Sequence, residues 1–477
     1  MALMNWRVAG GALVLAAGCA TNPVTGKREL SFISEAQEIA MGQQAATEVR
    51  QSMGLVPDPA LQQYVRGIGL RMAKASERPD LPWSFEVVDD PAVNAFALPG
   101  GSIFVTRGIL SYIQNEAELA SVVGHEIGHV TAKHSVHQIS RAQLAQGLLG
   151  VGSILSSDVA AVAGIASQGL GVMFLKFGRD AETQADDLGF RYSLSDGYDV
   201  RAMRGMFEML GRVSGGAAIG RLPQWLSTHP DPENRIVKSD QRLAQLTIDL
   251  SKNKLNRDQF VRNLDGMVFG ENPRQGYFDL QRFNHPDLAF RIDFPAGWKT
   301  QNQPSAVVGV SAAQDAMFAL SIPGKETPPQ SLAKFLSQPG IQAANQTTAS
   351  VNGMAAASAD FQATGQDSQV VAGRIAFVSN GENTYQLLGY TRQANLASYR
   401  SVFLQAIQSF NRLTDPAALA KQPIRLKLVR LSKDLSVEEF NRQYPSGSVP
   451  VTTVAFLNGV GAVTDGLKAG TWARRVQ

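Results

Sequence analysis

Cysteine is nearly absent from this 477-residue chain, Cys19 being the only one, so no internal disulfide holds the fold. Histidine is scarce as well: the chain has six, which makes two of them at metal-ligand spacing conspicuous. Nor is there an excess of charge of one sign. Lysine and arginine number 44 against 41 aspartates and glutamates, a net charge of +3. No basic run stands out, and this excludes nucleic acid as a partner class. Past the N-terminal eighteen or so residues, no apolar stretch is long enough to span a bilayer uninterrupted. The nearest approach, Leu148 to Phe174, is broken by Gly, Ser, Gln and Asp158. Its small residues predict closely packed helices or a mobile flap over a cleft. A chain of this length exceeds one ordinary core and predicts about two to four domains.

What is there is concentrated chemistry. His125-Glu126-Ile127-Gly128-His129 forms an HExxH that follows Glu118-Leu119-Ala120-Ser121-Val122-Val123-Gly124. On an α-helix, residues four apart share a face, so His125 and His129 offer two imidazole nitrogens to one ion. Glu126 projects beside that ion, where it accepts a proton from an activated water. Zinc suits the set, because catalytic zinc sites keep three protein ligands and one open position. Downstream, Glu182 and Asp186 form an ExxxD on a second helical stretch. A carboxylate from that helix completes a two-histidine, one-glutamate site, which assigns the third ligand to Glu182. Asp186, one turn on, is expected to accept the outer N–H of a ligating histidine, preferably His125, and so fix its tautomer. His229-Pro230 reads locally as a proline-stiffened loop. His134 and His137 follow the HExxH at offsets that leave the metal face and are expected on a solvated helix end. His285 falls in a separate domain.

Asn94-Ala95-Phe96-Ala97-Leu98-Pro99-Gly100-Gly101, then HExxH, then Glu182-x-x-x-Asp186, then Thr228-His229-Pro230 occur in that order. Together they resemble family 48 of the metallopeptidases, the gluzincins related to CAAX prenyl protease, heat-shock membrane protease and β-barrel assembly-enhancing protease. The resemblance covers about Asn22 to Gly270. It implies a zinc endopeptidase in which His125, His129 and Glu182 ligate one Zn2+ and Glu126 is the acid/base. It implies further that Gly101 to Thr106 is an active-site edge strand, to which substrate backbone adds with broad sequence tolerance. For His229 it leaves two alternatives: a fourth ligand that latches the site shut, or a donor to the oxyanion of the tetrahedral intermediate. Glu126, Asp186 and His229 are thus the residues expected to carry catalysis. Arg235 is a candidate partner within the same loop.

At the N-terminus, Arg7 and the apolar run Val8 to Ala17 suit a signal peptide. Cys19, directly behind Gly18, resembles the lipid-attachment cysteine of a bacterial lipoprotein, with Leu15 one position earlier than usual. Ala20 in place of aspartate implies the outer membrane. Past Gly270 to Gly276 the pattern changes. Leu288 to Phe294, Ala316 to Ile322, Val370 to Val378 and Thr384 to Tyr390 read as strands. The last two flank Asn380-Gly381, a hairpin signal with a loop longer than two residues. Tyr399 to Phe410 is helical, with Val402, Phe403, Ala406 and Ile407 on one face. This order, with Phe294-Pro295-Ala296-Gly297-Trp298, resembles the PsbP/Mog-type α/β sandwich. The final unit opens on the strand Ile424 to Val429 and a helix with Ser436 as N-cap and Glu439 at N3. It resembles LysM, a βααβ module that binds peptidoglycan glycans, although Lys433-Asp434-Leu435 replaces the usual Gly-Asp-Thr turn.

The expectation is an α+β protein with a signal peptide at 1–18 and a zinc metalloprotease domain at 19–270, mainly helical with a small edge-strand sheet. A PsbP/Mog-like domain at 276–413 and a LysM-like domain at 421–477 follow. Its expected activity is zinc-dependent hydrolysis of peptide bonds in unfolded or misassembled envelope proteins. Its expected place is the bacterial outer membrane, lipid-anchored through Cys19 and facing the periplasm, with peptidoglycan as a candidate partner. The alternative is a chaperone-like outer-membrane assembly factor whose zinc site is mostly latched.

Overall fold

Side-chain caps fix where the first helices begin. In the computed structural model, which describes residues 19–149, 176–215, 225, 228–229, 232–303, 305–364, 370–447 and 449–477, Ser34 and Gln37 form a capping box ahead of helix α1 (Glu35–Met53). Asp58 accepts from the N–H groups of Ala60 and Leu61 at the start of α2 (Pro59–Lys74), where proline occupies a position whose N–H would have no helical partner. The signal-peptide expectation for 1–18 lies outside the described residues, as does the Leu148 to Phe174 segment from residue 150 on. Among the described residues no helix is long and apolar enough to cross a membrane.

The chain divides into two compact units, Met1–Gly270 with Ile424–Gln477, and Glu271–Pro423. In the first, a short antiparallel hairpin of β1 (Cys19–Thr21) and β2 (Arg28–Leu30) precedes α1. A three-stranded sheet follows α2: β3 (Ser84–Val88), β4 (Ala95–Ala97) and β5 (Ser102–Thr106), in the order β3-β5-β4. The expectation of an edge strand at Gly101 to Thr106 is corrected here. Strand β5 is central, parallel to β3 on one side and antiparallel to β4 on the other, with all five residues buried. A strand buried on both faces carries no alternation that distinguishes centre from edge, so the sequence reads the same either way. The edge is β4.

Helices α3 (Arg107–Tyr112), α4 (Glu116–Thr131), α5 (His134–Leu149), α6 (Arg179–Ser195), α7 (Ala202–Gly215), α8 (Pro232–Ala244) and α9 (Arg257–Asn263) complete the body. Helix α4 carries the HExxH. Asn115 caps it by accepting from Glu118 N–H at 2.9 Å, and every residue of the helix is buried. A helix buried on all sides is the middle of a core, and α2, α5, α6, α7 and α9 pack against it.

The second unit is built on a seven-stranded antiparallel sheet. From edge to edge it runs Ile341–Val351, Met354–Thr364, Val370–Asn380, Asn383–Arg392, Ala316–Gly324, Ala306–Val310 and Lys299–Gln303. The expected helix is present as Leu396–Ser409, with Phe403, Ala406 and Ile407 buried. One expectation is corrected: Asn380 pairs with Asn383, so the hairpin loop is the two residues Gly381 and Glu382. Gly381 takes φ +61°, as a tight hairpin turn requires.

At the C-terminus, Leu426–Arg430 pairs antiparallel with Trp472–Val476, with helices Val437–Gln443 and Val451–Leu457 between them. Ser436 caps the first of these helices in a box with Glu439, as expected. This segment packs as part of the first unit. Arg474, fully buried, donates from Nη1 to Ser111 O at 3.0 Å and Ile113 O at 2.7 Å, and from Nη2 to Gln114 Oε1. It thereby satisfies carbonyls at the end of α3 that no helical N–H reaches, immediately ahead of the cap of α4. Arg474→Ala should cost the first unit about 2–5 kcal/mol, since it strands two buried acceptors. Denaturant unfolding of the whole chain measures this. A loss below about 0.5 kcal/mol would mean that the arginine does not hold the segment in place.

Candidate metal centre

Helix α4 contributes His125, Glu126 and His129, and α6 contributes Glu182 and Asp186. The two helices cross at Gly124 and Gly128 on α4 and Ala185 and Gly189 on α6. A Cβ on Gly128 would lie 3.0 Å from Ala185 O, one on Gly189 would lie 2.8 Å from His125 N, and one on Gly124 would lie 3.0 Å from Gly189 O. Only glycine permits backbone to approach backbone this closely, and the approach carries Glu182 and Asp186 to the histidines.

The donor atoms converge. His125 Nε2 lies 3.0 Å from His129 Nε2 and 3.5 Å from Glu182 Oε2, and His129 Nε2 lies 3.4 Å from Glu182 Oε1. His229 places Nδ1 2.9 Å from Glu182 Oε1 and 3.3 Å from His125 Nε2. One ligand atom from each of the four falls within 4.8 Å of the others, and none of the four residues is more than 3% exposed. Glu126 stands alongside, its Oε1 3.8 Å from His229 Nε2. Its carboxylate accepts from the Ala97 N–H of β4, while Oε1 is buried and has no hydrogen-bond partner among the described residues. Trp225 lies against His229 with ring centres 4.2 Å apart, and Phe177 against His129 at the same distance.

Behind the ligands, Asp186 Oδ1 is 2.9 Å from His125 Nδ1. Arg235, itself buried, grips that carboxylate with Nε on Oδ2 at 2.9 Å and Nη2 on Oδ1 at 2.6 Å, and reaches Glu182 Oε2 with Nη1 at 3.3 Å. Its guanidinium lies 4.4 Å over the Phe207 ring. Burial and then the Arg235 charge push His125 down to about 3. Burial first, with further help from His229 and Arg235, lowers His129 too, against the pull of Glu182. Both imidazoles are therefore neutral, the form that ligates. Burial alone would raise Glu182 and Asp186. Instead His229 and His129 hold Glu182 well below the usual carboxylate range, and Arg235 does the same for Asp186. Glu126 goes the other way, raised well above its ordinary value by burial and then by the charge of Glu182. Carboxylates whose environments drive them apart in this way take different parts in a site.

Two expectations fail here. His134 and His137 are buried rather than on a solvated helix end. Lys133 takes a left-handed φ of 57° that ends α4 and turns the chain. His134 then returns to within 3.0 Å of His129, Nδ1 to Nδ1, with its Nε2 3.0 Å from Gln184 Oε1. His137 Nδ1 donates to Leu30 O at 2.9 Å and its Nε2 pairs with Glu29 at 3.0 Å. Helical offsets cannot locate these side chains because the helix stops between them and His129. Sequence reasoning also passed over Gln184, Ala97, Trp225 and Phe177; the glycines at 124 and 128, four apart on one face, were the available sign of a close helix crossing.

A divalent ion fits this donor set. With Nδ1 of His125 donating to Asp186, its Nε2 carries a lone pair aimed at His129 Nε2, and with His129 in the same tautomer two lone pairs at 3.0 Å cannot bond to each other. Glu182 adds an anionic oxygen to the same point. A cation between them resolves the conflict, and zinc accepts this mixture of imidazole and carboxylate.

Comparison with known proteins agrees with this chemistry. Residues 59–243 match the model of peptidase family M48. The chain is 32% identical over 234 residues to the β-barrel assembly-enhancing protease of Escherichia coli, covering 47% of this chain and 48% of that protein. It is 29% identical over 244 residues to the mitochondrial metalloendopeptidase OMA1 of Schizosaccharomyces pombe, covering 50% and 71%. The chain thus spans about half the length of the first of these relatives. Among solved structures, cyanobacterial PsbP from Synechocystis sp. aligns at a TM-score of 0.23 and 15% identity, covering 28% of this chain and 91% of that one.

The glycine crossing makes a contrast testable. Gly189→Ala should destabilise the first unit by about 1–3 kcal/mol, because overpacking outweighs the helical gain of roughly 0.5–1 kcal/mol from removing glycine. Gly211, on α7 with open space where its Cβ would be, should show only that gain. Unfolding curves of the two variants check both signs, and equal stability of Gly189→Ala and wild type would remove the crossing from the explanation.

Proposed function

We propose, from the premise that residues 59–243 are a peptidase family M48 domain, that this chain is a zinc-dependent endopeptidase of the bacterial cell envelope. It would hydrolyse peptide bonds of unfolded or misassembled envelope proteins. The observation that supports this best is the convergence of His125, His129 and Glu182 on one point with Glu126 beside it. In this reading the first three hold the ion. Zinc bound there supplies a Lewis acid that polarises the scissile carbonyl and eases deprotonation of water. Glu126 takes a proton from the attacking water at its free Oε1 and returns it to the leaving amine, while Ala97 N–H holds the carboxylate in place. Asp186, clamped by Arg235, keeps His125 in the tautomer whose lone pair sits on Nε2. Strand β4 is the sheet edge beside Glu126, and an extended substrate adds to it through main-chain hydrogen bonds that ask little of its sequence.

His229 acts as a latch in this proposal. Its Nδ1 lies among the ligand atoms, where an imidazole takes the position that a water or substrate oxygen needs. An oxyanion donor is the alternative role. The same arrangement favours the second reading, a chaperone-like outer-membrane assembly factor that rarely cuts. We place the protein at the outer membrane through lipid on Cys19, facing the periplasm, with peptidoglycan as a partner of the C-terminal segment; retention of Cys19→Ser in the membrane fraction would count against the lipid anchor.

Elemental analysis of purified protein should find about one zinc per chain, lost in His125→Ala and Glu182→Ala. Glu126→Gln should keep the zinc and cleave an unfolded test protein at least roughly a hundredfold more slowly. Zinc retained in full by His125→Ala would sink the ligand set. If Glu126→Gln restores envelope integrity to a deletion strain as well as wild type does, the assembly-factor reading replaces the protease. His229→Ala should raise basal cleavage if the residue is a latch and lower it if it is an oxyanion donor.

A further inference from the structure

We infer that His134 and Gln184 form a neutral hydrogen-bond relay that fixes the tautomer of His129, making His134 a positioning residue for the metal rather than a bystander. The inference rests on the proposed metal site. Three observations carry it: His134 Nδ1 lies 3.0 Å from His129 Nδ1, His134 Nε2 lies 3.0 Å from Gln184 Oε1, and His134 is buried.

The protons follow from these contacts. An amide oxygen only accepts, so His134 Nε2 carries the hydrogen that it gives to Gln184. A neutral imidazole has one N–H, which leaves His134 Nδ1 with a lone pair. The hydrogen between the two rings therefore belongs to His129 Nδ1, and the remaining lone pair of His129 sits on Nε2, which faces His125 Nε2 and Glu182 Oε1. Turning the Gln184 amide over reverses the chain. His134 would then donate to His129 Nδ1, and His129 would present an N–H to the ion. Metal binding and the direction of the relay therefore select each other.

The two ligating histidines are thus held by different means. His125 leans on an anion, Asp186, that is tied to Arg235. His129 leans on a neutral ring, so its support adds no charge beside the ion. Both supports come from α6, on which Gln184 lies between Glu182 and Asp186. One helix therefore provides a ligand and the orienting group of each histidine, directly for His125 and through His134 for His129.

Chelator competition on the full chain reads the relay without reference to cleavage. His134→Phe keeps a ring of similar size but removes the acceptor, and should weaken zinc binding roughly 10- to 100-fold, the usual cost of losing such a partner. His134→Asn restores an acceptor near the place of Nδ1 and should recover most of that loss. Nitrogen NMR of the imidazoles in the zinc-free protein should show His129 protonated on Nδ1 in wild type and in His134→Asn, and a tautomer mixture in His134→Phe. Unchanged zinc affinity and an unchanged His129 tautomer in a folded His134→Phe would overturn the relay while leaving the metal site standing. Failure of wild type itself to bind stoichiometric zinc would overturn the metal site and the relay with it.

Discussion

The closeness of α4 and α6 is the constraint on which the site depends. A carboxylate on one helix can meet an imidazole on another within hydrogen-bond range only if the helix axes are near. The glycine contacts at 124, 128 and 189 bring them there by removing the side chains that would hold the backbones apart. Once the helices are in place, helical spacing does the rest. Residues four apart point the same way, so His125 and His129 on α4 face Glu182 and Asp186 on α6. Gln184 is set between them toward the turn that follows Lys133. The sheet, the caps and the C-terminal segment act on this pair from outside: β4 brings Ala97 N–H to Glu126, and Arg474 braces the residues just before α4 begins.

Buried charge sets the second requirement. Glu182 and Asp186 are both inside the protein, and an isolated carboxylate there is costly. Arg235 compensates part of this, bidentate on Asp186 and in contact with Glu182, and guanidinium geometry suits that task better than an ammonium would. One cation against two anions leaves the centre short of positive charge, and His125 and His129, both held neutral, do not supply it. A divalent ion balances that charge and turns lone pairs that would otherwise oppose each other into ligands. On this account Arg235 belongs to the metal centre although it binds no metal: it supplies the charge that most favours the Asp186 anion, and Asp186 orients His125.

Much of this was legible in the sequence because it depends on local periodicity. HExxH and ExxxD are statements about residues three to four apart on a helix, and helical geometry is nearly independent of context. The Ser436–Glu439 box and the apolar face of Phe403, Ala406 and Ile407 were legible for the same reason. The misreadings all involve what lies beyond one element. The central place of Ser102–Thr106 depends on a parallel partner, Ser84–Val88, about eighteen residues away. The return of His134 depends on one left-handed residue, Lys133, which is neither glycine nor asparagine and carries no turn signature. The C-terminal segment joins the first unit through Leu426, Leu457 and Val476 and through a buried arginine, Arg474, that looks in the sequence like one more charge in Arg474-Arg475.

Closure of the site has an energetic scale of its own. Under the proposed latch, a peptide reaches the ligand atoms once His229 leaves Glu182, and Trp225, packed on the same ring and itself fully buried, yields with it. A hydrogen bond to a charged group contributes about 1.5–3 kcal/mol and an aromatic pair about 0.5–1.5 kcal/mol. Together these would favour the closed arrangement by about 2–4 kcal/mol, or roughly 30- to 1,000-fold. A preference of that size is large enough to suppress idle cleavage, yet within what a bound substrate strand could reverse. A strand added along β4 gains several main-chain hydrogen bonds, each contributing about 0.5–1.5 kcal/mol. Occupation of the sheet edge could therefore offset the loss of the His229 contact, provided the substrate binds the open arrangement better than the closed one. Under the proposed latch, selectivity would then rest on whether a client offers an extended backbone, which unfolded chains do and packed domains do not.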